Sequence, residues 1–320
     1  MRIFVGRGGA RLLYFGPMKR MRPHEHTPAA PAAAPANEPV YGFGPDILPI
    51  RDVLGRMAGT DVNSERTSSL PLAQFLLPSP ELERLLERLI LFCNRDDDLD
   101  PVDVTRYLEY PVYARDPRTG REIDPKFPSK SDAMLLAPGF RVAVEGKWTE
   151  PIERPYESVR EWLADVKPGR RTIKPAKLAA WIHDLAAAGA IRPGFGRERF
   201  LDVPYQLVHR AASACRGVVP GSHVRPAVCY VVFRDVDAAP EDAEKTRAFE
   251  ERLLGPWTEW VDAETLEFDL VRVPILRIPP PLRGRAAARL FLEMADGARP
   301  YAFDWPAVTL RRLTSSGRFA

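Results

Sequence analysis

Cysteine is scarce in this chain: Cys93, Cys215 and Cys229 are the only three in 320 residues, and they form neither a CxxC pair nor a zinc-ligand spacing. An odd, sparse count excludes a disulfide scaffold and fits a reducing compartment, so a cytoplasmic location is expected. Long apolar runs are missing too. None approaches the roughly 18–20 residues that cross a bilayer, and 28% of the residues are charged, so no membrane partner is expected. An excess of one charge is also lacking, the formal net charge being +3. What imbalance exists lies in the first forty residues, where Arg2, Arg7, Arg11, Lys19, Arg20 and Arg22 face only Glu25 and Glu38. The rest is about neutral and lacks the basic stripe of a non-specific DNA-binding domain. The histidines do not cluster: His24 and His26 lie in the tail, and His183 falls in an amphipathic helix, where a half-buried structural role is expected. The GRGG start has no strand-to-helix context and is not a phosphate loop.

The chain is rich in proline and alanine at its start. Residues 1–40 combine a basic beginning with an Ala/Pro tract from Thr27 to Pro39, which cannot bury enough apolar surface to offset its ordering entropy. A disordered tail is expected there. Its short apolar stretch, Leu12 to Phe15, is followed by Lys19, Arg20 and Arg22 and does not make a signal peptide; Met18 or Met21 is an alternative start. Residues 41–320 are expected to form one domain, since no flexible linker interrupts them.

Within that domain, Ser79 to Asn94 reads as a helix with Ser79 as N-cap and Pro80 in its first turn. Leu82, Leu85, Leu86, Leu89 and Ile90 form its apolar stripe. Strands are expected at 104–114, interrupted at Pro111, at 132–136 and at 140–148, with a turn at Ala137-Pro138-Gly139. Helices follow at 155–166, 175–188 and 204–216, then a strand at 225–234. The remainder reads as a helix at 241–254, a strand at 266–275, a helix at 283–295 and a strand at 307–313.

The chemistry concentrates in SKSDAMLLAPGFRVAVEGKWTEP, residues 129–151. Side chains alternate between the faces of a strand, so Arg141, Ala143, Glu145 and Lys147 share one face, and Phe140, Val142 and Val144 share the other. A carboxylate and an amine thus project together among apolar neighbours, which is costly unless a metal or polar partners compensate. Asp132 opens the preceding strand, and the hairpin brings it across towards Glu145. Two carboxylates with a strand carbonyl, that of Gly146, make a hard oxygen site for Mg²⁺ or Mn²⁺. There a metal would polarise a phosphoryl oxygen and activate water, with Lys147 assisting that water.

Asp, a turn, then Glu-x-Lys at the end of an apolar strand resembles the PD-(D/E)XK nuclease superfamily. The resemblance spans about residues 80–235. It implies an α/β, restriction-endonuclease-like core in the order helix, three strands, helix, strand, with a mixed central sheet. A helical insertion over about 151–200 and a C-terminal α/β extension over 236–320 would complete the domain. It implies that Asp132 and Glu145 bind the metal and that Lys147 acts in catalysis. It adds a glutamate from the first helix, Glu87 or Glu83, as a ligand, and Gln206 on the later helix as a catalytic group. Nucleic acid, DNA before RNA, is the implied partner, and a homodimer is compatible with the family. Ser131 departs from the family by standing where its proline would be.

Blander readings exist for each feature. An ExK pair on a strand is usually a surface salt pair. Gln206, His209 and Arg210 form a polar face on an Ala-rich helix, which packing alone also requires. Arg170, Arg171, Lys174 and Lys177 could touch phosphates or form a solvated charge run. Trp148, Trp162 and Trp181 are expected to pack rather than stack on bases. The competing functions are therefore a metal-dependent nuclease, a catalytically inactive nuclease-like domain for binding or assembly, and an unrelated α/β protein whose Glu145 and Lys147 are a structural pair.

Overall fold

The apolar strands assemble into one mixed, nine-stranded sheet with helices on both faces. A computed structural model describes residues 3–6, 9–12, 39–59, 67–93, 99–126, 128–148, 158–165 and 172–313. In chain order the elements are β1 (Ile3–Gly6), β2 (Gly9–Leu12), β3 (Tyr41–Phe43), β4 (Asp46–Ile47), α1 (Ile50–Met57), α2 (Ser69–Phe75), α3 (Pro80–Cys93), β5 (Thr105–Val112), β6 (Ser129–Ala137) and β7 (Phe140–Lys147). There follow α4 (Val159–Ala164), α5 (Lys174–Ala188), α6 (Tyr205–Cys215), β8 (Arg225–Asp235), α7 (Pro240–Trp260), β9 (Glu267–Arg277), α8 (Arg285–Ala295), β10 (Ala302–Phe303) and β11 (Thr309–Arg312). The central strands lie in the order β9-β8-β7-β6-β5. β5, β6 and β7 form an antiparallel meander, β8 runs parallel to β7, and β9 runs parallel to β8.

Alternation along β7 sends its side chains to two separate cores. Phe140, Val142 and Val144 join the layer covered by α1, α2, α3 and α8, while Ala143 joins the layer under α5, α6 and α7. Glu145 and Lys147 follow Ala143 to the α6 side. Gly146 faces the other way, where a Cβ would lie 3.1 Å from Leu72 Cδ2 and 3.1 Å from Ser68 Cβ. α2 therefore rests directly on the strand behind the carboxylate, and any larger residue would press its neighbours outward.

Several elements differ from expectation. β6 starts at Ser129, so Asp132 lies inside the strand instead of opening it; Ser129, Lys130 and Ser131 pair with Val112, Pro111 and Tyr110. Ladder pairing needs only backbone, which is why a polar stretch extends the strand and β5 runs on through Pro111. α4 is capped by Ser158 and Glu161, a reciprocal capping box, and starts at Val159; 151–157 lie outside the described residues. α7 continues through Pro256 to Trp260, because Trp257 and Trp260 are fully buried and their packing outweighs the proline. α1 and α2 have no counterpart in the sequence reading. β1 and β2 pair as a hairpin within the tail expected to lack structure, and the Ala/Pro tract lies outside the described residues. His183 is exposed rather than half-buried. No helix among the described residues is long and apolar enough to cross a membrane.

Gly146→Val is expected to lower stability by roughly 1–3 kcal/mol through overpacking against α2. Urea unfolding should show a lower midpoint with an unchanged slope.

Candidate active site

The site forms where the meander and α6 meet. β6 and β7 pair from Ala137↔Phe140 down to Ala133↔Val144. Beyond that pair the Asp132 carboxylate takes over as acceptor: the Gly146 N–H donates to its Oδ2 at 3.0 Å. On the other side of β6 the register passes from Leu108↔Ala133 to Tyr110↔Ser131 without pairing Asp132. Glu109, which by count stands opposite Asp132, has a φ of 52°. That conformation costs a glutamate of order 1 kcal/mol, and it lies next to the site's most exposed carboxylate.

Glu145 is buried and holds two cations. Lys147 Nζ lies 2.6 Å from its Oε1, and Arg210 Nε donates to its Oε2. Arg210, from α6, also donates through NH2 to Asp132 Oδ1 at 3.3 Å and through NH1 to the Lys130 carbonyl. Its NH1 lies 3.3 Å from His209 Nδ1. One guanidinium thus bridges both carboxylates and finds a partner for each of its nitrogens. A second arginine holds the helix less than a turn further on, since Arg141 donates to the Ser213 carbonyl at 3.1 and 3.3 Å. α6 is thereby pinned antiparallel to β7 at two points.

These contacts set the charge states. Burial pushes the Asp132 carboxyl up, and the Glu145 charge adds to that, so it stands above the usual carboxylate range despite Arg210 and Lys147. Burial acts the same way on Glu145, but Arg210 and Lys147 outweigh it and hold this carboxyl low. Burial lowers Arg210, while Glu145 and then Asp132 raise it above its ordinary value. Burial and then Arg210 keep His209 well below its ordinary value, hence neutral, with its ring tilted 4.9 Å from that of Trp181.

Asp132, Glu145, Gly146 and Lys147 therefore stand together, as the motif implied. Gln206 lies half-buried one turn before Arg210 on the same helix face. Glu87 is not brought to the carboxylates. It is exposed on α3, whose leucine stripe packs on the other face of the sheet. Among the described residues no three of His, Cys, Asp and Glu come together as a metal-holding group. Glu83 pairs instead with the buried Arg106 at 2.6 Å. Lys174 is held by the carbonyls of Trp162 and Asp165, and Lys177 pairs with Asp124 at 3.0 Å; Arg170 and Arg171 lie outside the described residues. Trp148 and Trp181 are core, and Trp162 stacks on Trp181 and Tyr205. Arg210, expected only as part of a polar face with Gln206 and His209, is the residue that ties the two carboxylates together. Its signal was an arginine amid the small and apolar residues of QLVHRAASAC, where a cation needs a buried acid.

A family described as a domain of unknown function (DUF6946) matches residues 57–253. The match covers well over half of the chain, which belongs to this family. The matched span contains Asp132, Glu145, Lys147 and Arg210 and ends within α7, so β9, α8 and β11 lie beyond it. No curated protein and no solved structure matches the chain.

Two outcomes follow for stability. Glu145→Ala leaves Arg210 and Lys147 without their shared acid and is expected to cost about 3–5 kcal/mol in chemical denaturation. Asp132, with a raised folded value, binds more protons folded than unfolded, so its contribution is full at acid pH and lost as pH rises through that value. The melting temperature of Asp132→Asn should accordingly fall less than that of the unaltered protein between pH 5 and pH 8.

Proposed function

We propose that this chain is a metal-dependent nuclease of the PD-(D/E)XK type, hydrolysing phosphodiester bonds of nucleic acid, with DNA the expected substrate. The observation that carries the reading is the convergence of Asp132, Glu145 and Lys147 at the C-terminal end of β7 on one face of the sheet. The order α3, β5, β6, β7, α6, β8 supports it, with the meander followed by a parallel strand and α4 and α5 inserted. Ligand sites in parallel α/β sheets favour the C-terminal ends of strands.

The donor set suits a hard divalent ion, because two carboxylates lie close enough for a single guanidinium to bridge them. Asp132 and Glu145 would hold Mg²⁺ or Mn²⁺, with the Gly146 carbonyl as a further oxygen. When bound, the ion polarises the phosphoryl group and lowers the pKa of its water. Lys147, fixed by Glu145, orients the attacking water and stabilises charge on the phosphoryl oxygens. Gln206, half-buried one turn before Arg210, would donate to the substrate from the α6 side. Tyr230, opposite Glu145 in the β7–β8 pairing, and α6 keep bulk water from Glu145.

One observation favours a second reading, a nuclease-like domain that binds or assembles without turnover: both carboxylates already carry internal cations. The two readings part on catalysis. Lys147→Ala should lower Mn²⁺-dependent cleavage of mixed single- and double-stranded DNA by about 10²–10³-fold while shifting metal affinity only a few-fold. Asp132→Asn with Glu145→Gln should abolish Mn²⁺ binding in calorimetry. Cleavage equal in the protein and its Lys147→Ala variant would remove the catalytic reading. Metal binding that persists in the double variant would remove the site.

A further inference from the structure

We infer that Arg210 is a built-in counter-cation that a divalent ion must displace, so that this guanidinium sets the metal affinity of the site. The inference rests on the proposed metal site and names how that site is regulated. Arg210 contacts both carboxylates the ion would use, through Nε to Glu145 and NH2 to Asp132. All remaining contacts of its fork go to groups that bind no ion here, the Lys130 carbonyl and His209 Nδ1. It is buried, 7% of its side chain being exposed, so no solvent screening weakens its hold.

Charge makes the two occupants alternatives. Ionised, Asp132 and Glu145 supply two negative charges against the two positive ones of Arg210 and Lys147, and a proton on Asp132 leaves the set more positive still. A divalent ion added to that set leaves a buried excess of two positive charges, which a low-dielectric interior penalises heavily. Withdrawing the guanidinium relieves part of that excess and frees Glu145 Oε2 and Asp132 Oδ1 together. Lys147 pairs with Oε1 of Glu145, the oxygen that the guanidinium does not touch. The exit is on the Asp132 side, where that carboxylate is 30% exposed against 3% for Glu145.

The test is Mn²⁺ titration by calorimetry of the full chain, beside Arg210→Gln and Arg210→Lys, with melting temperatures recorded without metal and at saturating Mn²⁺. Glutamine keeps a donor near Glu145 but removes the charge; lysine keeps the charge but cannot bridge both acids. The expected result is at least about tenfold tighter Mn²⁺ binding in Arg210→Gln, with an intermediate value for Arg210→Lys. Without metal Arg210→Gln should melt below the unaltered protein, and saturating Mn²⁺ should close the difference. Binding seen in the variant but not in the unaltered protein supports displacement equally. Equal or weaker binding in both variants, with the unaltered protein still binding, overturns the displacement while leaving the metal site standing. No binding in any of the three overturns both. Should Arg210→Gln lose its cooperative melting transition, Arg210→Lys carries the same comparison.

Discussion

The contact between Arg210 and the Glu145–Asp132 pair organises this domain around one buried charge problem. Removing an ion from water costs several kcal/mol even after relaxation, and three charged groups, Glu145, Arg210 and Lys147, meet here with the Asp132 carboxyl. The cost is offset only because each nitrogen of Arg210 and both oxygens of Glu145 find partners. That requirement fixes the height and rotation of α6 over β7. Arg141 holds the Ser213 carbonyl less than a turn further on, and Arg216 ties the helix sideways to α5 through Asp184 at 2.8 Å. The helix that leads into β8 is thus placed by ion pairs as much as by its alanines, and the parallel β7–β8 pairing follows from that placement.

What the sequence reveals of this is local. The alternation in FRVAVEGK reports which β7 residues face α6, and the Ala-Pro-Gly turn reports that Asp132 comes back alongside. Ser79, with its side chain accepting from the Leu82 N–H at 3.0 Å, marks the start of α3 as its residue type suggests. The polar Ser129-Lys130-Ser131 gives no sign of strand, because its pairing with β5 uses backbone groups that every residue has. α1 and α2 are short and gain their stability from burial, Val53, Leu54 and Met57 in one and Leu70, Leu72 and Phe75 in the other. Ile50, Val53, Leu54 and Met57 recur at helical spacing and mark α1 locally, whereas the seven residues of α2 are too few for periodicity to report, and its packing comes from residues distant in the chain. The same holds for Arg210, 65 residues from the acid it serves.

The site also departs from the resemblance in an instructive way. The likeness to PD-(D/E)XK nucleases implies a third carboxylate from the first helix. Here the leucine stripe of α3 is committed to the opposite layer, and its Glu83 is taken by Arg106, itself wholly buried and bonded to Tyr41 and the Leu76 carbonyl. A helix whose inward glutamate must satisfy a buried arginine has none to lend elsewhere. On the proposed reading the site has a second cation, from α6, and no third acid among the described residues.

That charge balance changes how the site relates to any anionic substrate. A cluster of two acids and two bases has little net field of its own, and the chain beyond its tail is about neutral, so net charge supplies little steering of a phosphodiester towards β7. Attraction must then arise after a local change that leaves the site positive. On the proposed reading a divalent ion makes that change, and the guanidinium it releases lies within a side chain's length of the same spot. Arginine is suited to take up phosphoryl oxygens in pairs. The ordering that follows is ion first and nucleic acid second, because only the first event creates the charge that the second requires.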